Sequence, residues 1–233
     1  MSEDVEISFA LPTRPYWQSN GFAVGCAERL LPMAASLGGR AIAETTEPGL
    51  ALAWKAAAGL GGRPETELEQ AIAALTDAIH HAADDGFEVL GAHGANVTVF
   101  ALEAVSGSTR EGWVSLARTG TLGLVREVDV ELAMPPEAAL TLTFSDQDEV
   151  PQGPLERAEI GAQRTSLGLL DVGYAPDAQA LEAVRRLSRL RAGELARALP
   201  EFTRRRGRRY EELERRRAAW LAEIARRRGR KPP

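Results

Sequence analysis

The stretch RRRGRRYEELERRR, Arg204 to Arg217, sets a run of guanidinium groups around a tyrosine, a leucine and three glutamates. Such groups attract phosphates and carboxylates, so the run is a candidate grip on an anionic partner. Turned through about 100° per residue, the angular step of an α-helix, Tyr210, Leu213, Trp220 and Ile224 gather on one arc, spaced three, seven and four. Arg208, Arg209, Arg216, Arg226, Arg227 and Arg230 gather on the opposite arc, with Glu212 and Glu223 among them. The segment is expected to be an amphipathic helix whose polar face is basic. Its apolar stripe needs a partner surface, because leaving Trp220 and Ile224 in water forfeits roughly 1.5–3 kcal/mol per side chain.

Three partners fit. The stripe can pack on the helix expected from Asp177 to Leu199 as a helical hairpin, with Glu211 and Glu212 paired to Arg215 and Arg216 at i,i+4 and the basic face merely solvated. The exposed arginines can instead bind nucleic acid phosphates through a salt-dependent, sequence-independent attraction. The stripe can also lie on an anionic membrane surface. The glutamates on the basic arc weaken both functional versions. No helix-turn-helix, zinc finger or aromatic RNA-binding signature is present, so nucleic acid contact would be backbone-directed.

Cys26 is the main enzymatic candidate. If FAVG were a short strand, VGCAER would place the thiol at a helix N-terminus, where the dipole favours the thiolate; a base would have to come from His80, His81 or His93. The competing reading makes Cys26 a packing residue on an apolar helical face. His80 with Asp84, or His81 with Asp85, has i,i+4 spacing that allows a metal, with His93 arriving from the next segment, but the spacing is unspecific, histidines in a last helical turn also suit the carbonyl end of the dipole, and no metal site is assigned. GLGGRPE (59–65) and GAHGAN (91–96) read as loops and match no phosphate-binding or dinucleotide fingerprint, so no cofactor is assigned.

These groups must be positioned by elements of an ordinary globular chain: 233 residues, 44% hydrophobic and 26% charged, enough for one sizeable core. With Cys26 the only cysteine, no internal disulfide can form. No apolar run approaches the roughly 18 residues of a membrane span and the start MSEDVEIS is not signal-like, so the expected compartment is the cytoplasm. Residues 1–180 carry 26 acids and 10 bases, net −16, and residues 181–233 carry 7 and 18, net +11. The acidic body would repel a polyanion and attract the basic arm of another copy, which makes self-association a competing outcome.

Periodicity predicts an α+β body. VEISFAL and AIAETTEPGLALAW read as strands, the latter turning at Glu47-Pro48-Gly49. FEVLG, NVTVFALEAV, VREVDVELAM and ALTLTF read as a mostly antiparallel sheet. In VREVDVEL the acids Glu127, Asp129 and Glu131 are expected on an open hairpin face. Helices are expected from Asn20 through Pro32 to Gly38, and from Pro64 to Asp85 with Leu68, Ile72, Leu75 and Ile79 as its stripe. The expected organisation is an acidic α+β domain over 1–150, a linker over 151–176, and a basic helical hairpin or arm over 177–233, broken at Pro200. The function expected is non-enzymatic: a binding or assembly protein whose C-terminal helix engages a nucleic acid backbone or an acidic protein surface. The alternatives are a small enzyme using Cys26, and an inhibitor whose acidic hairpin face masks a basic target.

Overall fold

The computed structural model describes residues 7, 11, 13–59, 65–82, 86–107, 110–134 and 151–229; among them it has seven α-helices and no strand. In chain order these are α1 (Tyr16–Leu37), α2 (Gly39–Ala57), α3 (Glu65–His80), α4 (Gly86–Ser106), α5 (Arg110–Ala133), α6 (Pro154–Leu170) and α7 (Ala178–Gly229). Helix α1 packs against α2, α4, α5, α6 and α7. Every residue from Trp17 to Leu30 is buried, as in a helix enclosed on all sides. One apolar core joins Phe22, Leu30 and Met33 of α1 to Leu50 of α2, Leu102 of α4, Val128 of α5, Leu170 of α6, and Leu199 and Phe202 of α7. The first half of α7 thus belongs to the same core as α1.

Glycine sets the tightest crossing. A Cβ on Gly91 of α4 would overlap the backbone of Leu37 and Gly38 at the end of α1, so no larger residue fits there without a backbone shift. Helix α4 is also the one described helix long and apolar enough to cross a membrane; 61% of its apolar window is buried in the bundle, as core helices are.

The expected α+β architecture is overturned. FEVLG and NVTVFALEAV form α4, GAHGAN lies inside it, VREVDVELA forms the last turns of α5, and AIAETTEPGLALAW lies in α2. The period-two reading failed at α4 because that helix is buried around most of its circumference, at Leu90, Ala92, Ala95, Val97, Thr98, Ala101, Leu102 and Val105. A helix without a polar face shows no 3.6-residue stripe. ALTLTF and SDQDEV lie outside the described residues, as does VEISFAL apart from Ile7 and Leu11.

Two prolines also fail to break their helices. Pro48 and Pro200 stand inside α2 and α7. Each is exposed, and so are Glu44 and Ala196, four residues earlier. The carbonyls freed by the missing N–H groups therefore face water, which satisfies them. Two expected features are present. The α3 stripe buries Leu68 and Leu75, and Asp177 caps α7, its Oδ1 accepting from the backbone N–H of Gln179 at 2.8 Å and of Ala180 at 2.9 Å.

Candidate functional site

The segment that drew attention in the sequence is the second half of α7, a single 52-residue helix. Its root is locked to the body. Phe202 is fully buried, and Phe87, at the start of α4, meets Phe202 and Tyr210 edge-on with ring centroids 6.4 and 6.0 Å away. Arg206 Nη1 donates to Glu127 Oε1 at 2.5 Å and Arg209 Nη2 to Glu131 Oε1 at 2.7 Å. Arg205 Nη1 donates to the carbonyl oxygen of Leu132 at 2.7 Å. Burial raises the Glu131 carboxyl above the usual carboxylate range, and Arg209 and Arg206 offset part of that rise.

The acids of VREVDVEL therefore form no open hairpin face. Glu127 and Glu131, four apart on α5, both meet α7 arginines. Asp129 is buried and accepts from the backbone N–H groups of Leu155 at 3.3 Å and Glu156 at 2.7 Å. It thus caps α6 from a neighbouring helix, satisfying N-terminal donors.

Beyond the root, α7 becomes an arm. Every residue from Glu214 to Ala222 is exposed, and the segment from Glu211 to the helix end at Gly229 extends about 28 Å at 1.5 Å per residue. Trp220 is 63% exposed and Leu221 51%; Leu213 and Ile224 are half-buried. The arm's charges pair along its own axis: Glu212 with Arg215 at 3.1 Å and Arg216 at 2.8 Å, Glu214 with Arg217 at 3.6 Å, and Glu223 with Arg226 at 3.0 Å. The hydrogen bond from Arg216 and the charge of Arg215 hold the Glu212 carboxyl below its ordinary range.

The structure thus divides the residues singled out from the sequence. Tyr210 and Arg209 are held at the root, while Arg208, Arg216, Arg226 and Trp220 stand exposed. Arg227 lies on the helix with its side chain outside the described set, and Arg230 lies outside the described residues. No family model, curated protein or solved structure matches this chain.

The other candidates lie inside the body or apart from one another. Cys26 sits in mid-helix in α1, which starts at Tyr16, so the strand-then-helix parse does not hold and the thiol is not at a helix N-terminus. It is fully buried, and burial pushes it up to about 11 despite the neighbouring Arg29. At neutral pH it is a protonated thiol and lacks the thiolate that nucleophilic attack requires. His80, His81 and His93 are exposed, and His81 Nδ1 lies 2.8 Å from the Asp77 carbonyl oxygen. Among the described residues no three ligating side chains gather; Asp84 and Asp85 lie outside those residues.

Sequence reasoning missed a buried polar network around α1. Arg29 donates through Nε to Glu159 Oε1 at 3.1 Å and through Nη1 to the hydroxyls of Ser166 at 3.4 Å and Ser188 at 3.1 Å. Gln163 donates to the same Glu159 oxygen at 2.8 Å. Its neighbour Glu28 accepts from Trp54 of α2, and from Arg189 of α7 at 2.8 Å. The network ties α1 to α2, α6 and α7, and hydrogen-bonded buried networks of this kind rigidify a core. The signal was present: an adjacent Glu-Arg pair in the otherwise apolar run VGCAERLL.

Proposed function

We propose that this chain is a non-enzymatic binding and assembly protein: the helical body holds out the last turns of α7 to seat on an acidic protein surface. One observation carries the reading. Trp220 and Leu221 stand 63% and 51% exposed on a helix that is continuous from the core and anchored by Phe202, Arg206 and Arg209. Covering the two side chains would contribute roughly 1.5–3 kcal/mol each, and aromatic anchors dominate the energetics of most protein interfaces. Leu213, Trp220 and Ile224 recur at seven and four residues, the seam along which one helix packs on another.

A protein surface suits this arm better than a phosphate backbone. From 211 to 229 it has four glutamates against six arginines, and Glu212, Glu214 and Glu223 already pair with neighbouring arginines. Polyanion binding through counterion release needs uncompensated cations. The test uses the full-length chain with three probes: an acidic amphipathic helical peptide, random duplex DNA, and anionic vesicles. The expected result is peptide binding weakened about tenfold by Trp220→Ala, with no retention on DNA or vesicles at physiological salt. Steeply salt-dependent DNA binding without peptide binding would replace this reading with the nucleic acid one.

A further inference from the structure

A groove of about 660 Å³ runs along the outer face of α3 beside the end of α4. Its lining includes the apolar Ile72 and Ala73 and the acidic Glu65, Glu69, Asp77 and Glu103. On α3 the lining runs from Glu65 to His80, about 22 Å of helix. That is long enough to receive most of a 28 Å arm. Helix-in-groove recognition needs apolar lining for anchors and charged groups that set orientation, and the lining supplies both kinds.

Resting on the arm reading above, we infer that the occupant of this groove is the α7 arm of a second copy of this chain. At about 100° per residue, Arg216 lies roughly 40° from Trp220 on one side, not on the arc opposite the stripe as expected, and Arg217 lies roughly 60° away on the other. In the contact Arg216 and Arg217 exchange their in-helix partners Glu212 and Glu214 for the groove's carboxylates, and Trp220 meets Ile72 and Ala73. The arm is open to such a contact, because its residues from Glu214 to Ala222 are all exposed on the continuation of α7. The segregation of charge, −16 over residues 1–180 and +11 over 181–233, has the same sense on the scale of the whole chain: each copy offers a cation and an anion to its neighbours. Because arm and groove are different surfaces, the contact is heterologous and repeats from copy to copy, giving either a closed ring or an open filament.

The experiment is light scattering of the full-length protein over a hundredfold concentration range, with sedimentation velocity to distinguish rings from filaments. Wild type should gain mass with concentration. The arm reversal Arg216→Glu/Arg217→Glu and the groove reversal Glu65→Lys/Glu69→Lys should each weaken association about tenfold or more, and an equimolar mixture of the two variants should associate again, the native arm of one meeting the native groove of the other and the reversed arm the reversed groove. Circular dichroism of each variant checks that the helices remain. A monomer at every concentration overturns the inference. So does association that only the arm reversal weakens, which would leave the arm reading standing with another acidic surface as its seat. Loss of peptide binding in the preceding test, with self-association intact and insensitive to the arm reversal, would instead remove the arm reading itself.

Discussion

The two halves of α7 are built from the same residue types and do opposite things. In the stretch through Tyr210, beside local pairs such as Arg191 with Glu194 and Arg205 with Glu201, three arginines reach carboxylates on other helices: Arg189 to Glu28, Arg206 to Glu127 and Arg209 to Glu131, 161, 79 and 78 residues away in sequence. In the second half the arginines reach glutamates three or four residues away on the same helix. Pairs of the first kind define a fold, since they exist only once the chain is packed. Those of the second kind exist in any isolated helix and stabilise it by only a few tenths of a kcal/mol. A run of arginines therefore says little about function until the location of its counter-charges is known.

The contrast can be broken most forcefully at its aromatic residues. Phe202 is fully buried in the common core, so Phe202→Ala should lower the unfolding free energy by about 3–5 kcal/mol in urea titration. A loss below about 1 kcal/mol would mean that the first half of α7 is not part of the cooperative unit, and the division between root and arm would fall.

The body's interior gives the limiting case, in which burial rather than a partner decides ionisation. Cys26 is held near 11 from an ordinary value of 9.0. The folded chain therefore retains its thiol proton where the unfolded chain loses it, and stability falls as pH rises from about 9 to about 11. The loss amounts to about 2–3 kcal/mol at the upper end. Measured against Cys26→Ala, which lacks the thiol, wild type should lose relative stability across that window and show no such divergence below pH 8. Iodoacetamide labelling at pH 8 should proceed only as fast as the protein opens; rapid labelling of the folded protein would contradict the burial.

The ion pairs come next. Arg209→Met leaves the buried Glu131 without its partner and should cost about 2 kcal/mol, a value reduced from that of a fully buried pair because the arginine is part-exposed. Adding Glu131→Gln should recover much of the loss, since the stranded charge is then gone. Arg216→Met, in the arm, should leave the unfolding midpoint unchanged.

What the sequence disclosed follows from how each helix meets water. Helix α3 and the start of α7 each have a wet side, so Leu68, Leu75 and the Asp177 cap were legible from spacing alone. Helix α4 has almost no wet side, and its valines and threonine then resembled strand residues. The alternation in α5 misled for a different reason. Glu127, Asp129 and Glu131 are polar because they face arginines and a helix terminus inside the molecule, and a binary pattern cannot tell a residue facing water from one facing an internal partner. The distal arm was legible because it remains largely in water, where the helical wheel of an isolated segment applies. Its root was not, because the carboxylates that hold Arg206 and Arg209 lie in a segment read as a strand.

A substitution with almost no expected effect on stability is the sharpest test of the arm. Trp220 is the largest apolar side chain on the exposed stretch, and yet Trp220→Ala should shift the unfolding free energy by no more than about 0.5 kcal/mol, because an exposed side chain has little burial to lose. The same substitution should strip the arm of its anchor and weaken association with an acidic partner about tenfold. Those two outcomes are independent readouts of one residue. A destabilised monomer would show Trp220 packing on its own body, which would move the boundary between root and arm outward from Tyr210 by nearly three turns. An unchanged monomer with unchanged association would leave the arm as a solvated helix whose charges serve only one another.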